Sequence, residues 1–508
     1  YILVTIARSP PIRGGLIVWP PELTVQIAII ILYLITLAIL GIYGFHRSHL
    51  LMLYWKHRKN VQKVATPYAE EDLPIVTVQL PMFNEMYVAE RLLESITLLD
   101  YPKHKLEIQV LDDSTDETVQ IASAKVEELR TRGFDAVYLH RTDRTGYKAG
   151  ALAEATKVAK GEFLLVFDAD FVPTPSIIRN LIHHFTDEKV GMVQARWGHI
   201  NRDYSTLTHC QSMMLDGHFC IEHIARNRSG RFFNFNGTAG IWRRAAIADA
   251  GGWEHDTVTE DMDLSFRAQL KGWEFVYVPD AVAPAEIPCE MNSFKTQQFR
   301  WAKGSAQTTR KLLWTVLKAD IPLKVKIECV FHLTNNFAYL FLVVLAMLQL
   351  PNMLMRQDMQ HPELLLLDVP LFLSTCGSIC VFYLVTQKEL YGGWMAAVKR
   401  LPMMMAIGIG LSINNARAVL EGLFGKDITF VRTPKHGIEN TSKRPTWKKA
   451  AYRGNWSMHS LLEVGFGLYF VVTIGLAIAT GNYISVPFLI LFMVGFLYVG
   501  GLSLYQKR

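Results

Sequence analysis

Apolar positions in this chain follow two patterns. Between residues 72 and 320 they form short runs broken by turn residues and by amphipathic stretches. On either side they form continuous runs of bilayer-spanning length. In the middle region, residues 75–80, 106–111, 137–140 and 163–167 read as strands. Residues 85–98, 115–130 and 148–159 between them read as helices. This alternation implies a Rossmann-like α/β domain, with a mostly parallel sheet covered on both faces. Ligands of such sheets bind beyond the carboxyl ends of the strands.

Residues 23–43, 327–350, 364–385, 461–479 and 484–504 are long and apolar enough to span a bilayer. Residues 401–423 are ambiguous, because they carry Asn414, Asn415 and Arg417. Charge decides the topology. Arg47, Lys56, Arg58 and Lys59 follow the first run, and a second basic cluster lies between Lys426 and Arg453. Both belong on the cytoplasmic side. Two spans between them satisfy that, so residues 394–423 read as interfacial or re-entrant. Five spans result, with six as the alternative. The first run is too long for a signal peptide and reads as a retained anchor. The expected division is an amino-terminal segment with one span (1–60), a cytoplasmic α/β domain (61–292) and interfacial helices (293–325). Two spans (326–387), an interfacial helix with a cytoplasmic loop (388–457) and two final spans (458–508) follow.

Composition supports this hybrid. Half the residues are hydrophobic and 19% are charged, too apolar for an ordinary soluble enzyme and too polar for a pure transporter. The net charge of +6 gathers near the membrane. It suits contact with anionic membrane lipid and gives no reason to invoke nucleic acid. The six cysteines form no CxxC pair, so neither structural zinc nor a disulfide framework is expected.

Acidic residues follow the expected strands: Glu85, beside Asn84, after the first, Asp112 and Asp113 after the second, Asp168 and Asp170 after the fourth. Carboxylates on one rim repel one another unless a cation sits among them. Mg²⁺ or Mn²⁺ with a diphosphate suits such hard oxygen ligands. Asp168 and Asp170 alternate at a strand end and can face one ion. No GxGxxG follows the first strand and no GxxxxGK[ST] occurs, which weakens dinucleotide and P-loop readings.

Other motifs carry two readings each. Asp112-Asp113-Ser114 suits a helix cap as well as nucleotide binding. Lys148 opposes a helix dipole, a cost that a bound anion would relieve, yet alone it reads as a surface lysine. Asn236-Gly237-Thr238 is a small-residue loop that permits close ligand approach, or an ordinary turn. Thr259 suits an N-cap, and the adjacent Glu260-Asp261 pair can supply a general base. Gln297, Arg300 and Trp301 can grip a phosphate and stack on a sugar, or simply anchor a helix at the membrane surface.

The order PxxNE (Pro81 to Glu85), DDS, KAG, DAD, FNGTAG, TED and QxxRW resembles the processive membrane family-2 glycosyltransferases, the group of cellulose, hyaluronan, chitin and mannan synthases. Within that group, FNGTAGIWR and TEDMDLSFRAQLKGW look closer to cellulose-synthase-like A and C proteins. The resemblance implies a GT-A catalytic domain among transmembrane helices. It implies that Asp168 and Asp170 bind the metal and donor diphosphate, and that Asp112, Asp113 and Lys148 hold the nucleoside. Asp261 would be the base. Gln297, Arg300 and Trp301 would hold the diphosphate and the acceptor end. Asn236, Gly237, Thr238 and Glu260 would line the acceptor site.

Phe430-Val431-Arg432-Thr433-Pro434-Lys435 looks like the FxVTPK gating loop of bacterial cellulose synthase, with Arg432 in place of Val. Thr433 and Lys435 would close over the nucleotide. The implied activity is processive, inverting polymerisation of UDP-glucose or GDP-mannose into a β-1,4-glucan or β-mannan, with export across a bacterial inner or equivalent membrane. Accessory export proteins are conceivable partners. The single amino-terminal span and the short tail depart from cellulose synthase, and from the tail no carboxyl-terminal cyclic-dinucleotide-binding domain is expected. The rival readings are a non-processive transferase with a lipid acceptor, and a channel or transporter that only senses nucleotide sugars.

Overall fold

The computed structural model describes residues 12–13, 16–17, 21–64, 66–359, 368, 370–371, 373–425, 427–438 and 458–506. Seven strands form one sheet: β1 (Val76–Met82), β2 (Leu106–Asp112), β3 (Asp135–His140), β4 (Phe163–Val166), β5 (Val190–His199), β6 (Gly240–Arg243) and β7 (Glu274–Ala285). Their order is β3-β2-β1-β4-β6-β5-β7. β1 to β4 are mutually parallel, β6 runs antiparallel to β4 and β5, and β5 pairs in parallel with β7. The chain builds outward from β1 in both directions, so a crevice opens at the carboxyl ends of β1 and β4.

Residues in β4 alternate faces: Phe163 and Leu165 join one apolar cluster, Leu164 and Val166 the other. Both faces are covered, which is why these strands read as unbroken apolar runs. Helix α1 (Pro21–His57) leads into the domain. Helices α2 (Ala89–Thr97) and α3 (Thr118–Thr131) cover one face. The other is covered by α4 (Tyr147–Val158), α5 (Thr206–Gly217), α6 (His223–Arg228) and α7 (Glu260–Leu270). Leu50, Leu51, Leu53 and Tyr54 of α1 join that same cluster, so the domain core continues into the apolar helices.

The element starts shift from the sequence expectation for local reasons. Asn84 adopts a left-handed φ of 55°, and the second helix forms only at Ala89. Asp112 accepts from the Ser114 N–H and Asp116 from the Thr118 N–H, and these turns delay α3 to Thr118.

Helix α8 (Met291–Lys318) carries Gln297, Arg300 and Trp301. Beyond it run α9 (Leu323–Thr334), α10 (Ala338–Met359), α11 (Ser378–Tyr391), α12 (Met395–Gly410), α13 (Ser412–Phe424), α14 (His459–Ala479) and α15 (Val486–Tyr505). Among the described residues, four segments are long and apolar enough to cross a membrane: Thr24–His57, Leu323–Gln357, His459–Ala479 and Val486–Tyr505. Helices α12 and α13 meet at a 42° bend and pass the same test only together, as a broken span or a re-entrant loop. That is the segment read as interfacial from charge. The expected run 364–385 falls partly outside the described residues, as does most of the basic stretch 426–453. Small residues bring two of these helices together: a Cβ at Gly410 would lie 2.3 Å from the Gly495 carbonyl oxygen.

Candidate functional site

One cavity collects the carboxyl ends of β1 and β4, the Asn236-Gly237 loop before β6, the start of α7 and the middle of α8. Residues Phe430, Arg432, Thr433 and Lys435 complete its lining. Asp113, Lys148, Asp168, Asp170, Asn236, Gly237, Glu260, Asp261, Gln297, Arg300 and Trp301 all line it. Side chains spread over more than three hundred residues of sequence thus meet in one place.

Lys148 is no surface lysine. Its Nζ donates to Asp168 Oδ1 at 2.5 Å and to the Gly237 carbonyl at 2.8 Å. Burial opposes its charge, but the carboxylates of Asp168, Glu260 and Asp261 together hold its pKa above the usual value. Gly237 sits at φ +78°, and a Cβ there would lie 3.0 Å from Asp261 Oδ2. Any larger residue would press on that carboxylate.

Asp261 accepts the N–H of Met262 at 2.8 Å at the start of α7. Burial, then the neighbouring Glu260 carboxylate, push Asp261 up to about 7. Burial raises Glu260 as well. A carboxylate poised near neutrality in a polar cavity can take up a proton from a hydroxyl. Thr259 does not cap α7 through its side chain; its hydroxyl meets Thr308 at 3.2 Å instead.

The segment 427–438 is pinned across the acidic rim. Lys435 Nζ donates to Asp170 Oδ2 at 2.5 Å, and Arg432 to Glu85 Oε2 at 3.0 Å. Glu286 accepts three consecutive backbone N–H groups, from His436 and Gly437 at 2.9 Å and Ile438 at 3.2 Å. The Arg300 guanidinium lies 4.4 Å from the Phe430 ring centroid and donates to the Val431 carbonyl. Burial pushes Glu85 up to about 8 and raises Glu286.

Asp168 and Asp170 form a donor set that fits a hard divalent cation. Both carboxylates line the cavity, and a lysine occupies one oxygen of each, so a cationic partner is already accepted at both. A separate cluster of Glu254, Asp256 and Asp263 also has ligand spacing. It does not line the cavity, and Lys311 Nζ sits among its carboxylates at 2.5, 2.7 and 3.0 Å. The lysine already supplies the cation there.

Two expectations need correction. Asp112 does not line the cavity. It is fully buried, accepting from the Tyr138 hydroxyl at 2.6 Å and from the Ser114 N–H. Neighbouring residues on an extended strand point to opposite sides, so Asp112 and Asp113 do not share a ligand. Asp113 does line it, gripped by Arg141 through Nε at 2.8 Å and a terminal nitrogen at 2.6 Å. Thr238 is likewise fully buried and absent from the lining; its hydroxyl accepts the Asp168 N–H at 2.9 Å. It shapes the strand end instead of meeting a ligand.

Sequence reasoning missed Glu286, Arg144, Phe83 and Trp197, which also line the cavity. Glu286 had a signal: an isolated carboxylate in the apolar stretch Ala283-Pro284-Ala285-Glu286-Ile287. Arg144, with its guanidinium 3.3 Å from the Phe83 ring centroid, belonged to no motif.

Residues 74–304 match the family described as glycosyltransferase like family 2. Glucomannan 4-beta-mannosyltransferase 2 of Arabidopsis thaliana is 41% identical over 279 residues, 53% of this chain and 52% of that protein. Glucomannan 4-beta-mannosyltransferase 1 of Oryza sativa subsp. japonica is 32% identical over 415 residues, 78% of this chain and 76% of that one. The match thus spans about half the length of the Arabidopsis relative and three quarters of the rice relative. Among solved structures, a mannosyltransferase from Pyrobaculum calidifontis, in complex with GDP-Man and Mn²⁺, shares the fold. Its TM-score is 0.51 at 20% identity, over 78% of this chain and all of that one.

Proposed function

The chain belongs to the family-2-like glycosyltransferases, and from that membership we propose that it transfers a hexose from a nucleotide sugar to the end of a growing β-linked glycan. A β-mannan backbone is the proposed product, after the activity for which the Arabidopsis and rice relatives are named, and GDP-mannose, one of the two donors named from the sequence, is the proposed donor. The observation that carries the reading is the meeting of Asp261, Lys148, Asp168, Arg300 and Trp301 around one cavity.

In this reading the acceptor hydroxyl gives its proton to Asp261 as its oxygen bonds to the anomeric carbon of the donor. The bond from that carbon to the diphosphate breaks, and the nucleoside diphosphate leaves. One displacement on an α-linked donor gives a β-linkage. Arg300 and Lys148 face the charge that develops on the leaving oxygens. Asp168 and Asp170 are the residues that would hold Mg²⁺ or Mn²⁺, which when bound neutralises diphosphate charge. Asp113 with Arg144 and Phe83 would hold the nucleoside, and Gln297 would assist at the diphosphate. Thr433 and Lys435 would close the site, with Lys435 exchanging Asp170 for phosphate.

Trp301, on the cavity side of α8, would seat the terminal sugar ring, beside Asn236, Gly237 and Glu260. The basic residues after α1 favour the cytoplasmic side for the catalytic domain. The apolar helices behind α8 would then carry the glycan outward, so that the next addition occurs on the same chain.

Trp301→Ala tests the platform. Losing the burial and stacking of an aromatic ring, about 2–3 kcal/mol, lowers polymer formation by about 30- to 150-fold. Release of nucleoside diphosphate by water continues. Both products are read in one assay, and unchanged polymer length removes Trp301 from the acceptor site.

A further inference from the structure

Helix α5 does not pass smoothly into α6. Residues His218–Glu222 between them form one π-helical turn, closed by a hydrogen bond from the His223 N–H to the His218 carbonyl. Five residues apart on an α-helix, two side chains diverge by about 140°. The wide turn instead stacks residue 223 near residue 218, and the two imidazole centroids lie 4.2 Å apart. Both rings then reach the same side chain. His223 Nε2 lies 2.6 Å from Asn236 Oδ1, and Asn236 Nδ2 lies 3.0 Å from His218 Nε2.

Resting on the acceptor reading above, we propose that His218 and His223 are positioning residues that lock the Asn236 carboxamide in a single orientation towards an acceptor sugar hydroxyl. The lock is set from both ends. With the amide oxygen towards His223, that ring carries its proton on Nε2. Its buried Nδ1 then keeps only a lone pair among Phe219, Phe233 and Tyr277, and has no hydrogen-bond partner among the described residues. With the amide nitrogen towards His218, that ring accepts at Nε2 and carries its proton on Nδ1, 3.1 Å from Glu222 Oε2.

Turning the amide over would reverse both rings. It would bury an unpaired N–H of His223 among aromatic carbons and aim a His218 lone pair at the Glu222 carboxylate. Both changes disfavour the turned amide. Burial supports the neutral His223 this requires, holding its pKa well below the usual value. The locked amide keeps one N–H and one oxygen lone pair, on a residue that lines the cavity. Those two groups suit a sugar hydroxyl, which both donates and accepts.

The lock is tied to the apolar helices. Glu222 also accepts from Arg226 at 3.1 Å. Arg226 donates to Glu328 of α9 at 2.9 Å, and His46 of α1 meets the same carboxylate at 3.1 Å. The orientation of an acceptor-side amide is thereby braced against two helices outside the catalytic domain.

The experiment uses the full chain purified in detergent, with GDP-mannose and Mn²⁺, and reads polymer and nucleoside diphosphate release separately. His223→Leu lowers polymer formation about tenfold to a hundredfold through misplacement of Asn236, while release without transfer stays within about threefold. His223→Gln, whose amide N–H can replace Nε2–H, recovers most of the polymer. Equal losses of both products with no recovery by Gln overturn the proposal. Asn236→Ala separates the two levels of the account. If it leaves polymer formation unchanged, the acceptor reading fails. If it abolishes polymer while His223→Leu behaves as the parent protein, the positioning role alone fails. Nitrogen-15 histidine spectra of the unaltered protein need neither variant folding nor turnover. They should show Nε2–H at His223 and Nδ1–H at His218, and the same tautomer at both positions overturns the lock.

Discussion

Asp261→Asn should abolish glycosyl transfer, lowering kcat by about 10²- to 10⁴-fold, while donor affinity stays within about threefold. The amide keeps the shape of the carboxylate and can still accept the Met262 N–H, so α7 should retain its start. What it cannot do is take a proton. In the proposed reading the donor is held elsewhere, by Asp168, Lys148 and Arg300, which is why affinity should survive. The pH dependence gives a second, independent readout. Burial and Glu260 hold Asp261 near 7, above the ordinary carboxylate value. A raised pKa means the base is protonated and idle on the acid side. The rate should therefore rise with pH through the region around 7 and level off above it. Asp261→Asn should lose that limb together with the activity. Glu260→Gln removes the adjacent negative charge and should move the limb to lower pH. A variant Asp261→Asn that retains turnover and the same profile would take the base assignment away from this residue.

Asp170→Asn should uncouple donor binding from divalent ions. Asp170 and Asp168 both line the cavity, and in the proposed reading this pair supplies the ion's hard anionic oxygens. An amide is a weaker, neutral ligand, and donor affinity at fixed Mn²⁺ should fall about a hundredfold. The residual affinity should no longer respond to EDTA. Titration calorimetry with GDP-mannose, at increasing Mn²⁺ and with chelator, reads both. The substitution also strips Lys435 of its carboxylate partner, so the segment 427–438 should loosen. Lys435→Met loosens the same segment but keeps both carboxylates, and it should retain the ion dependence. If Lys435→Met also abolished that dependence, the effect of Asp170→Asn would belong to the segment and not to an ion.

Much of this site was legible because parallel strands buried on both faces leave plain apolar runs with polar residues at their ends. Residues 106–111 and 163–167 announce where Asp113, Asp168 and Asp170 must lie. The alternation of side chains along β2 also carried a warning that Asp112 and Asp113 cannot face one ligand, and the structure bears out that rule. Strands β5 and β7 were less readable. Pro279 and Pro284 interrupt β7, and its pairing with β5 contains register shifts that no local pattern records. Glu286 holds three backbone N–H groups of a segment 150 residues later, a relation that spacing cannot reveal. The π turn at His218–Glu222 was hidden for a related reason. Its residues are helix-compatible, and the partner that makes the turn useful, Asn236, lies beyond the helix.

Trp301 shows what the fold adds to a motif. In the sequence an Arg-Trp pair beside apolar segments is equally an interfacial anchor. In the structure Gln297, Arg300 and Trp301 all line the cavity, with Asp261 and Lys148 among its other walls. Residues one helical turn apart share a face, and that face of α8 turns towards the carboxylates.

The central claim is that this cavity transfers a sugar from an activated donor. The most direct measurement incubates the purified chain with radiolabelled GDP-mannose, and in parallel UDP-glucose, with Mn²⁺ or Mg²⁺, and follows nucleoside diphosphate and polymer together. The account predicts that GDP-mannose yields GDP and a labelled polymer that β-mannanase digests. A protein that binds these donors yet releases no nucleoside diphosphate would contradict it, and would make the cavity a nucleotide-sugar sensor.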